Sequence, residues 1–121
     1  MQKLQDYDGV PGCTLYAALN LISGKWKGMI LYHLLRGERR FNALQRELKG
    51  CSQRILVKQL RELEEDGLVA RTVHAVVPPR VDYAITEEGR ALEPILFALR
   101  DWGHDWLSRR DRTARDDHLT A

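Results

Sequence analysis

The segment opened by Ser52 and closed by Gly67 constrains the fold more than any other stretch of the chain. Serine is a helix-capping residue and glycine a helix-ending one, so a helix reaching Asp66 is expected between them. Leu56, Leu60 and Leu63 recur at one-turn steps on one side, with Ile55 beside them, while Gln53, Arg54, Val57, Lys58 and Arg61 fall opposite. Such a helix must lay its leucine stripe on a core and turn the other side outward. That outward side is cationic in its first half and acidic at its end, with Glu62, Glu64, Glu65 and Asp66. The helix dipole favours the reverse arrangement. Stability alone would not select this layout; a partner carrying negative charge near the N-terminal half would.

The flanking sequence supplies what this helix packs against. Thr14 is an expected N-cap for a first helix, with Leu15, Leu19 and Ile22 at helical spacing, ended by Ser23-Gly24. A second helix is expected over about 25–35, with Trp26, Met29, Ile30, Tyr32, His33 and Leu34 available for burial, stopped at Gly37. Asn42 is placed to cap a short third helix, with Gln45 in capping-box register and Leu44 and Leu48 facing inward. After Gly67 the texture turns β-branched. Residues 68–77 read as a strand, Pro78-Pro79-Arg80 as a turn, and 81–85 as a returning strand with Val81, Tyr83 and Ile85 on one face. Thr86 then caps a final helix, with Glu87 and Glu88 in its first turn and Leu92, Ile95, Leu96, Leu99, Trp102 and Trp106 along it.

With 121 residues the expected organisation is a single domain: a loose arm over 1–12, a folded body over 13–106 and a charged, fraying tail over 107–121. The chain is 44% apolar and 30% charged, which fits a soluble globular protein. A net charge of +2 conceals segregation, because residues 36–61 hold eight basic and only two acidic side chains. No apolar run approaches a membrane span, and the first residues lack a secretory apolar segment, so a cytoplasmic location is expected. Cys13 and Cys51 form no metal-ligand cluster, and His33, His74, His104 and His118 are scattered with no paired-histidine zinc motif. Gly24-Lys25 is not a phosphate loop, since Leu19 stands where that motif needs glycine. No catalytic grouping, cofactor or metal is expected.

Helices, a two-stranded ribbon with a Pro-Arg tip and a closing helix follow the order of a winged helix-turn-helix, a mainly α (α+β) fold. In that fold the helix opening at Ser52 enters the major groove. Gln53 suits adenine, Arg54 suits guanine, and Lys58 and Arg61 suit phosphates or bases. Arg80 would approach flanking phosphates or the minor groove, on a tip that Pro78 and Pro79 stiffen. Arg39 and Arg40 precede the third helix, whose N-terminus would itself favour a phosphate.

The segments Ser23-Gly24-Lys25-Trp26, Arg40-Phe41-Asn42, Ser52-Gln53-Arg54, the run from Leu60-Arg61-Glu62-Leu63 through Gly67-Leu68-Val69, Pro78-Pro79-Arg80-Val81-Asp82-Tyr83 and Ile85-Thr86-Glu87-Glu88-Gly89 carry a resemblance. Over about 13–106 the chain resembles the HxlR-type regulators, relatives of the MarR group of winged-helix proteins. The resemblance implies a homodimer that binds double-stranded operator DNA and modulates transcription, as a repressor in our reading. It assigns recognition to Ser52, Gln53, Arg54, Lys58 and Arg61, and the wing role to Pro79 and Arg80. Leu92, Leu99 and Trp106 recur every seven residues, with Leu96 and Trp102 between, which suggests a dimer seam shared with Leu15 and Leu19 of the first helix. Burial within the same subunit is the rival explanation.

Cys13 lies where HxlR-type proteins often carry a cysteine, and in some of them it senses oxidants or electrophiles. Cys51 stands where the family usually has an apolar residue such as isoleucine, and is expected to pack as a small hydrophobe. Two other readings stay open. One is a winged-helix module that binds protein instead of DNA. The other is a regulator controlled by a small aromatic ligand, with Tyr16, Trp26 and Trp102 as candidate lining.

Overall fold

The computed structural model describes residues 13–120, with side chains from 14 to 113; the expected arm over 1–12 lies outside the described residues. Six helices and three strands follow one another: α1 Cys13–Ile22, α2 Lys27–Leu34, β1 Arg39–Arg40, α3 Phe41–Glu47, α4 Gln53–Glu65, β2 Val69–His74, β3 Arg80–Ile85, α5 Glu87–Arg90 and α6 Glu93–Thr120. The chain forms two compact units, divided between Ala91 and Leu92. The first unit is the winged helix.

Its core is built where the periodicities converge. Ile30, Leu31 and Leu34 of α2, Leu44 of α3, Leu48, and Leu56, Leu60 and Leu63 of α4 are almost wholly removed from solvent. Burial of a leucine or isoleucine is worth roughly 1.5–3 kcal/mol, so this cluster is what fixes α4 against α2. A 2.7 Å ion pair from Lys27 Nζ to Glu62 Oε2 ties the same two helices at the edge of the core and draws the Glu62 carboxyl below its usual range.

α4 begins and ends as its sequence dictates. Ser52 Oγ accepts a hydrogen bond from the Ile55 amide at 3.2 Å. At the other end Gly67 adopts φ +78°, which allows Leu68 N–H to reach Leu63 O and Gly67 N–H to reach Glu64 O, each at 3.0 Å. The chain leaves that turn directly into β2.

The sheet order is β1-β3-β2, all antiparallel. β1 was not expected. Arg39 pairs with Tyr83 and Arg40 with Asp82, so the chain before α3 is held extended as an edge strand. This also corrects the third helix start: Arg40, not Asn42, occupies the N-cap position, with no side-chain cap, and Asn42 lies inside the helix. Thr14 is likewise within α1 instead of capping it. β2 is shorter than the expected 68–77, and Arg80 belongs to β3, paired with His74, which leaves residues 75–79 as the wing tip. The Val77–Pro78 peptide is cis.

The expected single final helix is two. Thr86 does cap, its Oγ1 accepting from Gly89 N–H at 3.0 Å, but the helix it starts is only α5. The chain turns at Ala91 and Leu92 before α6. Pro94 is the second residue of α6. Proline has no N–H and clashes with the preceding turn, so it is tolerated in a helix's first turn but breaks a helix interior. The charged stretch over 107–121, expected to fray, continues as α6 to Thr120.

Candidate nucleic-acid interface

The outward side of α4 carries two adjacent stripes. Arg54 and Lys58 form one, a single turn apart; Gln53, Val57, Arg61 and Glu64 form the other. All six are exposed. The second stripe is one wall of a groove of about 910 Å³ whose other walls are α3 and the wing. Arg40, Phe41, Asn42, Ala43 and Arg46 line it from the α3 side. Arg71, residues 76–81 and Tyr83 line it from the wing. Register explains the wing's contribution: Arg71 lies opposite Tyr83 and Val73 opposite Val81, so one face of the ribbon looks into the groove. Tyr83 is buried, with its ring 6.4 Å from that of Phe41.

Ion pairing divides the basic residues into two sets. Lys27 pairs with Glu62, Arg39 with Glu47 and Arg80 with Asp82. Arg39 is the most tightly held: its Nε donates to both Glu47 oxygens at 3.0 and 3.1 Å, and its guanidinium also donates to the Gly37 and Glu38 carbonyls. Among the described residues, Arg40, Arg46, Arg54, Arg61 and Arg71 have no ion-pair partner. An arginine left unpaired on a folded surface retains its full attraction for an external anion.

Behind the wing face that meets the groove, His74 Nε2 lies 2.9 Å and Arg80 Nη2 3.3 Å from Asp82 Oδ2. Asp82 is only 6% exposed. Burial alone would raise its carboxyl, but hydrogen bonding at Glu38 and His74, with the charges of Arg80 and His74, holds it below the usual carboxylate range. This cluster clamps the ribbon just below its tip. Pro79 at the tip is exposed.

The structure thus gathers Gln53, Arg61, Arg40, Pro79 and Arg80 around one groove and leaves Ser52, Arg54 and Lys58 exposed on the adjoining face of α4. Among the groove residues that sequence reasoning did not assign to DNA contact are Arg46, Arg71 and Val57. Val57 and Ile55 are 38% and 40% exposed, and such methyl groups suit contact with a thymine methyl. The β2 alternation held a signal for Arg71, a charged residue spaced two from both Val69 and Val73 on the face that carries Tyr83.

Residues 21–111 match the family model described as HxlR-like helix-turn-helix. The chain belongs to the HxlR-like helix-turn-helix family. It is 46% identical over 105 residues to YdeP of Bacillus subtilis, an uncharacterised HTH-type transcriptional regulator, covering 87% of this chain and 82% of that one. YybR of the same organism, described in the same words, is 46% identical over 110 residues, 91% of this chain and 86% of that one. Among solved structures, the redox regulator HypR in its oxidised form superposes with a TM-score of 0.73 at 47% identity, covering 77% of this chain and 96% of HypR.

In this HxlR-like chain the other candidate residues fall as follows. Cys13 is the first residue of α1, but its side chain lies outside those described. Cys51 is buried at 6% exposure, and burial pushes its thiol up, with Lys25 opposing weakly. Leu15 and Leu19 of α1 stand 62% and 50% exposed. Leu99, Trp102 and Trp106 of α6 are also exposed, the two indoles stacked at 6.4 Å, whereas Leu96 is buried and Leu92 half-buried. Trp26 is buried with the Lys25 ammonium 4.7 Å from its ring centroid, and Tyr16 is exposed. No described helix is long and apolar enough to cross a membrane, and the described residues hold no cluster of three metal-ligating side chains.

Proposed function

We propose that this protein is a cytoplasmic transcriptional repressor that binds a specific double-stranded operator as a homodimer, through α4 and the wing of each subunit. The observation that carries this reading is the gathering of unpaired arginines on α4 and around the adjoining groove, next to Lys27, Arg39 and Arg80, which are paired with acids. In a major groove, Gln53 and Arg54 reach base edges and Lys58 and Arg61 meet phosphates. A homodimer presents two such heads about 34 Å apart, one helical turn of DNA. The exposed apolar side chains of α1 and α6 favour that pairing, since a solvated Leu15, Leu19, Leu99, Trp102 and Trp106 gain by burial against a second copy. Repression follows from occupying the promoter.

The test is a gel shift on the DNA flanking the protein's own gene, over a range of salt. Binding should weaken steeply with salt, and Arg54→Ala/Lys58→Ala together should cost about 2–4 kcal/mol of affinity with folding unchanged. Unaltered affinity in that variant would sink the recognition assignment. The absence of any salt-linked DNA binding would favour a protein-interaction module.

One observation supports control by oxidants: the 47% identity to HypR, a protein named as a redox regulator. Cys13 is the candidate sensor, because a thiol at a helix N-terminus has more reactive thiolate. Buried Cys51, with its raised thiol, is not. Diamide should modify Cys13 and change DNA affinity; no adduct and no change would end this reading.

A further inference from the structure

We infer that the groove between α4 and the wing seats one sugar–phosphate strand of the duplex, with Arg46 and Arg71 as phosphate contacts and Glu64 marking where the strand leaves. This rests on the regulator reading above and adds the strand's path and two residues outside the recognition set. When one element fills a major groove and another enters the neighbouring minor groove, a single backbone strand necessarily runs between them. In this protein the space between those two elements is the groove itself, and its chemistry matches a strand in three respects.

First, arginines reach it from three different elements, Arg46 on α3, Arg61 on α4 and Arg71 on β2, so positive charge surrounds the space instead of lying along one helix. Second, Arg46 and Arg71 are exposed and have no ion-pair partner among the described residues, so neither is explained as a brace of the fold. Third, Val77 and Pro78 add exposed apolar surface to the lining, which suits the carbon faces of deoxyribose. Glu64, one turn beyond Arg61 on the same stripe, is the acidic member of the lining. A carboxylate there repels a phosphate, which confines the strand to the N-terminal side of Arg61.

Phosphate contacts carry no sequence information, so the experiment uses a random-sequence duplex and the full-length protein, with affinity followed by fluorescence anisotropy against salt. Each lost phosphate contact lowers the slope of log affinity against log salt by about 0.9 in each groove. Arg46→Ala and Arg71→Ala should each lower the slope by that amount and weaken random and specific duplexes alike. Arg71→Lys should restore the slope, because a phosphate reads charge. Glu64→Gln should raise affinity for every duplex. Wild-type binding with a steep slope that Arg46→Ala and Arg71→Ala both leave unchanged would overturn the strand path while keeping the regulator reading. A wild-type protein showing no salt-linked binding to any duplex would overturn both.

Discussion

Gly89 offers the sharpest test of how the wing is fixed to the recognition helix. A glycine within a helix normally gains about 1 kcal/mol when replaced by alanine. At Gly89 the sign should reverse. A Cβ there would stand inside contact distance of the Leu68 carbonyl oxygen and 2.7 Å from Ile85 Cγ1. Leu68 cannot yield cheaply. Its carbonyl accepts from Thr86 N–H at 3.1 Å, its own N–H closes the α4 turn, and Thr86 Oγ1 donates to Gly67 O at 2.6 Å. Backbone meets backbone, so the overlap falls at the upper end of the roughly 1–3 kcal/mol that overpacking costs. Less the helix gain, Gly89→Ala should lose about 2 kcal/mol, a fall in Tm of roughly 10 °C for a unit of this size. Gly28→Ala is the control. Its Cβ would meet only Ile22 O at 3.7 Å, an ordinary contact, so Tm should hold or rise. Both variants are measured by thermal unfolding at one protein concentration, because a dimer's Tm depends on concentration. A Gly89→Ala Tm equal to or above wild type would refute the close junction between the α4 turn and α5.

Two further outcomes follow. Ser52→Ala should cost about 1 kcal/mol through loss of the Ile55 cap, whereas Ser52→Asp should keep the cap and the stability; denaturant titration checks both, and a gel shift should show Ser52→Asp alone repelled by phosphate at the DNA-facing end. Asp82, with its carboxyl held low in the folded state, contributes stability that is present above the ordinary carboxylate range and lost as pH falls through it. Stability followed from neutral to acid pH should therefore decline less in Asp82→Asn than in wild type, from a lower starting value; parallel curves would remove Asp82 from the acid response.

The parts legible in the sequence were those whose determinants are local. Ser52 and Gly67 bracket α4 because capping needs only a hydroxyl three residues from an amide and a residue free to take positive φ. Leu56, Leu60 and Leu63 are buried as their spacing requires. The parts that escaped depend on distant partners. Two residues show no alternation, so β1 exists only because Tyr83 and Asp82 lie beside Arg39 and Arg40. Once Arg40 is extended by that pairing, α3 starts immediately after it and Asn42 loses its capping role. The split between α5 and α6 was readable from Pro94, a residue that a helix admits only near its start. At the groove, the α4 face was evident from helical spacing. Arg46 was not, and strand alternation gave only the ribbon face of Arg71, because nothing short of the tertiary fold brings α3 and β2 to one space.

The magnitudes explain how α4 can be charged against its own dipole. It has no acid in its first turn and no base in its last, a layout that forgoes roughly 0.3–1 kcal/mol at each end. Against this stand Ser52's cap, worth about 1 kcal/mol, and three wholly buried leucines, worth on the order of 6 kcal/mol together. The core and the cap hold the helix with energy to spare, so its surface charge is free to answer to something other than stability. Reversing that charge should therefore make the helix slightly more stable and the protein unable to hold a polyanion. A solvated face with no partner would gain in the first respect and lose nothing in the second.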